Sequence, residues 1–164
     1  MMSGLKTSYI FTKPEMLFLL SNVHDISPSF PMKYIINEYL SDSVAPQEAI
    51  DGLAYKKLIS KSSGKVSLEP VTNLLARSAL STRKIWIIDD NDANRIIILK
   101  SESMFMHIKR YLLIDGAWRI APYKNVAEIT YEFGDIPIKS VKVIDNAGER
   151  TYITPHNDFS WLEE

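Results

Sequence analysis

The acidic run Asp89-Asp90-Asn91-Asp92-Ala93-Asn94 is the densest set of oxygen ligands in the sequence. Read from Asp90 it begins D-x-D-x-N, the opening of an EF-hand calcium loop. Such a loop needs glycine at its sixth position for the sharp turn and a bidentate glutamate at its twelfth. Those positions hold Arg95 and Ser101. The flanks, Ile85–Ile88 and Ile96–Leu99, are β-branched and apolar, as strands are. The run therefore reads as a solvated hairpin turn, not a metal site. The histidines are His24, His107 and His156, and none forms the i, i+4 pair of a helical metal site. His156 stands two residues before Asp158, a pair that could bind a metal or act as a base. His107 lies in an alternating pattern and reads as a sheet-face residue.

The chain has no cysteine, which excludes disulfides, thiolate metal sites and a cysteine nucleophile. Its 6 glycines stand singly, without a glycine-rich run, so a phosphate-cradling loop is not expected. Neither a nucleophile elbow nor a kinase or dinucleotide signature occurs. The expectation is a chain without catalytic residues, metal or cofactor, and enzymes are the least supported class.

The elements that would position any site change character midway. With 164 residues, one domain spanning 1–164 is expected. Thr12-Lys13-Pro14-Glu15 is a capping box that opens a leucine-rich helix to Val23. A second helix is expected from Pro31 to Leu40 and a third from Pro46 to about Leu58, with Gly52 placed for a close helix crossing. Ser60–Lys65 reads as a polar loop and Val66–Leu68 as a short extended piece. Pro70 opens a fourth helix that ends near Ser81. From Lys84 the hydrophobic period falls from 3.6 to 2. Strands are expected over Ile85–Ile88, Ile96–Leu99, Met104–Ile114 and Ala117–Ile120, the last two joined by a turn at Asp115-Gly116. Ala127–Phe133 reads as another strand, and a final hairpin turns at Asp145–Gly148. Helices over about 12–81 followed by antiparallel strands over about 84–154 indicate an α+β fold.

Net charge is −1, which disfavours a general nucleic-acid binder. The apolar runs are far shorter than the about 20 residues of a spanning helix, and Met1–Phe11 has no signal-peptide core, so a cytoplasmic protein is expected. Three helices followed by Lys61-Ser62-Ser63-Gly64-Lys65 match the order of a winged-helix DNA-binding regulator, the alternative reading. Against it, the would-be recognition helix begins with Glu48 and Asp51, and Lys56 and Lys57 come only at its end. The C-terminal Phe159-Ser160-Trp161-Leu162 either docks back on its own domain or anchors a partner.

The order of pieces resembles the EspG-like proteins of type VII secretion systems. Tyr9-Ile10-Phe11 with Thr12–Val23 matches that family's opening strand and leucine-rich helix. The phrase Leu53–Ile59 followed by Ser62–Val66, then Val71–Ala79 running into Lys84–Ile87, continues the likeness. Leu113–Tyr123 is similar to its strand, Asp-Gly, strand, proline phrase. The resemblance covers roughly residues 9–133 and one of the family's two halves. It implies a non-enzymatic cytoplasmic chaperone or accessory protein that binds a secreted helical protein, and self-association to restore the second half. It carries over no catalytic residue. The expected partner-binding positions are Asp90, Asp92 and Asn94 on a sheet loop, and Phe159 and Trp161 in the tail.

Overall fold

A computed structural model describes residues 8–40, 46–90, 95–102, 104–110, 116–153 and 159–163. The capping box forms as read. The Thr12 hydroxyl accepts the Glu15 N–H at 3.2 Å, and the Glu15 carboxylate accepts the Thr12 N–H at 2.8 Å. Thr12 thus closes strand β1 (Tyr9–Thr12) and caps helix α1 (Lys13–Ser21). Helix α2 (Phe30–Ile35) widens into a π-helical turn over Ile36–Leu40. Helices α3 (Pro46–Tyr55) and α4 (Pro70–Leu80) each begin at the proline that marks them in the sequence.

The segment between α3 and α4 is a hairpin rather than a loop. Strand β2 (Ile59–Ser62) pairs antiparallel with β3 (Lys65–Leu68) through a turn in which Ser63 and Gly64 have φ of 52° and 78°. Two residues of positive φ suit the twist of a tight hairpin. Its polar composition hides it, because only Ile59 of β2 is buried and no alternation shows.

A seven-stranded antiparallel sheet follows, built from β1, β4 (Lys84–Asp90), β5 (Arg95–Lys100), β6 (Phe105–Arg110), β7 (Ala117–Tyr123), β8 (Ile138–Asp145) and β9 (Gly148–Ile153). Its order is β1-β7-β6-β5-β4-β8-β9. The fold is α+β. The turn at Gly116 has a φ of 74°, which glycine adopts without strain. The expected continuation of β6 through residues 111–114 lies outside the described residues.

Ala127–Phe133 is not a strand. It is helix α5 (Val126–Phe133), and Asn125 caps it by accepting the Glu128 N–H at 3.0 Å. Its β-branched and aromatic residues favour a strand by local preference, but Val126, Ile129 and Phe133 at helical spacing are all buried on one face.

The sheet is buried on both sides. Ile85, Ile87, Ile97 and Leu99 pack under α1–α4, while Trp86, Ile88, Ile96 and Ile98 pack under α5 and a 3₁₀ turn, Ser160–Glu163. Two-sided burial explains why β4 and β5 read as unbroken apolar runs, a pattern more usual in parallel sheets. Among the described residues no helix is long and apolar enough to cross a membrane.

Candidate functional site

The polar side chains that the fold concentrates lie on the sheet face under α5. Arg119, Ala121 and Tyr123 alternate along β7 onto that face, and His107 of β6 sits opposite Ala121. Helix α5 brings Glu132 over them. Tyr123 donates its phenolic hydrogen to the Glu132 carboxylate, and Arg119 Nη1 donates to the other carboxylate oxygen at 2.9 Å. His107 is fully buried, with Nδ1 2.8 Å from the Tyr123 oxygen. Its ring lies 5.4 Å from Tyr123, nearly parallel, and 5.0 Å from Phe133, edge-on.

Each group is held well away from a proton change at neutral pH. Burial pushes His107 down to about 4, against the pull of the Glu132 charge and with help from Arg119 and Lys109. Burial and the bond to Glu132 raise Tyr123 above the ordinary phenol range. Burial alone would raise Glu132, but hydrogen bonds from Tyr123 and Arg119 outweigh it and leave its carboxyl below the usual range. A neutral imidazole, an un-ionised phenol and an ionised carboxylate form a bonded chain that ties α5 to the sheet. Beside it β7 and α5 frame a shallow groove of about 570 Å³, with Tyr131 on its rim 95% exposed.

The sequence singles out different residues. Asp90 is the last residue of β4, where the pairing with β8 slips by a bulge. Asp92 and Asn94 lie outside the described residues, as do His156 and Asp158. Phe159 is 1% exposed and Trp161 half-buried, its ring edge-on to Trp86 at 6.4 Å. The tail therefore docks on its own sheet, and Phe159 is enclosed in this conformation. His24 is exposed and joins no other site residue. Among the described residues no group of three His, Cys, Asp or Glu could hold a metal ion.

On the other side of the sheet, Lys56 at the end of α3 is not free for phosphate. Its Nζ lies 2.6 Å from Glu15 Oε1 and 2.9 Å from the Ile10 carbonyl oxygen. Lys61 stands 3.4 Å from Asp51. Of the basic set assigned to a winged helix, Lys57, Lys61 and Lys65 are exposed. Gly52 makes the expected close crossing: a Cβ there would run into Oε2 of Glu15 and meet its Cδ at 3.3 Å.

Sequence reasoning passed over the His107 cluster. The spacing of Arg119 and Tyr123 on one strand face is a usable signal, but Glu132 joins them only if residues 126–133 are read as helix. Compared with models of known families and with curated proteins, the chain matches none.

Proposed function

We propose that this chain is a non-enzymatic protein-binding protein of the EspG-like kind, a cytoplasmic chaperone or accessory factor for a secreted helical partner. The observation that carries the reading is Tyr131, an aromatic side chain almost wholly exposed on α5 beside the β7–α5 groove. Tyrosine offers a large, rigid contact area and is enriched at binding hot spots. The groove mixes Arg119 with Glu128 and Glu132, so its rim can hydrogen-bond a polar flank of the partner. The half-buried edge of Trp161 supplies a second aromatic contact on the same sheet face.

The test is co-expression with helical proteins secreted by the same cells, followed by affinity measurement on purified pairs. A stable complex is expected, weakened at least about tenfold by Tyr131→Ala, as at a hot spot. The winged-helix reading is tested in parallel with Lys57→Ala, Lys61→Ala and Lys65→Ala together; Lys56 is left intact because it holds Glu15. Duplex DNA should not bind even at low salt. Salt-sensitive, sequence-selective binding that this triple variant abolishes would overturn the proposal.

A further inference from the structure

We infer that His107 is the pin of a pH-sensitive latch, which holds α5 and the C-terminal turn on the sheet at neutral pH and releases them on acidification. The tautomer follows from the bonding order. Tyr123 has one hydroxyl hydrogen, and the ionised Glu132 can only accept, so that hydrogen goes to Glu132. The Tyr123 oxygen must then accept from His107, which places the ring hydrogen on Nδ1. Nε2 is left as a bare lone pair, buried and without a hydrogen-bond partner among the described residues.

A proton arriving at Nε2 would create a charged donor pointed at nothing that accepts it. The surrounding groups are Lys109 on its own strand, Arg119 and Tyr123 on β7, and Glu132 on α5. On β5 its register partner is Ile98, on α5 it meets Phe133, and the C-terminal turn adds Phe159 and Leu162 to the same core. Glu132 already serves Tyr123 and Arg119, and the two cations oppose a third. Lifting α5 lets water reach Nε2, so the open form takes the proton.

The sign is fixed by linkage. The closed form has a histidine near 4 and the open form one near the ordinary 6.5. Opening therefore gains as pH falls below 6.5 and stops gaining near 4. Glu132, held below its ordinary 4.5, adds to acid opening only beneath that value. Between pH 6.5 and 4.5 the effect belongs to His107 and amounts to about 40-fold, short of the limiting tenfold per unit because the open form is already half-protonated at pH 6.5 and the closed form begins to take the proton near pH 4.5.

Hydrogen exchange on the full chain tests this, with rates corrected for intrinsic pH dependence. Amides of residues 130–134 should lose protection about 40-fold between pH 6.5 and 4.5, as the linkage requires, while those of α4 hold theirs. In His107→Phe the α5 profile should be flat. A flat profile in the native chain, an unchanged slope in the variant, or parallel loss in α4 would overturn the latch. Nitrogen NMR of the His107 ring in the native chain gives a reading that does not depend on the variant folding. It should show the Nδ1–H form and titrate near the low value; an Nε2–H ring, or one titrating near 6.5, overturns the proposal.

Discussion

Replacing Gly52 by alanine should destabilise the protein, although helix propensity alone predicts the reverse. Inside an exposed helix the change gains about 1 kcal/mol. Here the new methyl group enters the space of the Glu15 carboxylate, which is 3% exposed and lies against α3. That carboxylate cannot simply swing aside. It accepts the Thr12 N–H at 2.8 Å and pairs with Lys56 at 2.6 Å, and Lys56 also holds the Ile10 carbonyl. Breaking a buried pair from one side costs about 3–5 kcal/mol. Lys56 keeps about a third of its side chain in solvent, so about 2 kcal/mol is the fitting part of that cost. Loss of the Glu15 half of the capping box, the bond from the Thr12 N–H, adds about 1 kcal/mol. Against the propensity gain, the net is a destabilisation of about 2 kcal/mol, or a fall in Tm of roughly 4–8 °C. Urea and thermal unfolding followed by circular dichroism measure it. The same substitution in a Glu15→Ala background should instead stabilise by about 1 kcal/mol, since nothing then occupies the space. If Gly52→Ala stabilises the native chain, or the two changes add to within about 0.5 kcal/mol, the account of the α1–α3 crossing is wrong.

Thr12→Ala should cost about 1 kcal/mol in chemical denaturation and Thr12→Ser much less, because serine keeps the capping oxygen. An apolar cavity of about 60 Å³ lies between α1, α2, α4 and the sheet, with Ala76 on its wall. At about 24 cal/mol per Å³ it costs about 1.4 kcal/mol, so Ala76→Val should stabilise by roughly 0.5–1 kcal/mol after the helix penalty of a branched residue; a drop in Tm would show that the cavity cannot take the added methyls. Calorimetry with calcium or zinc at neutral pH should detect no site of micromolar affinity, since the loop from Asp90 lacks the required glycine and glutamate and cysteine is absent; a stoichiometric tight isotherm would refute that reading.

What the sequence determined by itself was local chemistry whose partners stand a few residues apart. The Thr12–Glu15 box, the proline-opened starts of α3 and α4, and the tight turn between β8 and β9 each depend on three or four neighbouring residues. The change of period near Lys84 likewise announced the sheet, because alternation is a property of one strand. Tertiary structure decided what depends on the opposite surface. Val126–Phe133 carries strand-forming residues, and it is a helix because one of its faces is buried over β7. Strand β1 belongs to the sheet only through pairing with β7, more than a hundred residues away. The β2–β3 hairpin is exposed and shows no apolar alternation to read. His107 gives no sign in the sequence of being buried and bonded, for its partners come from β7 and α5. A single strand can state which way a side chain points, but only packing determines what waits there.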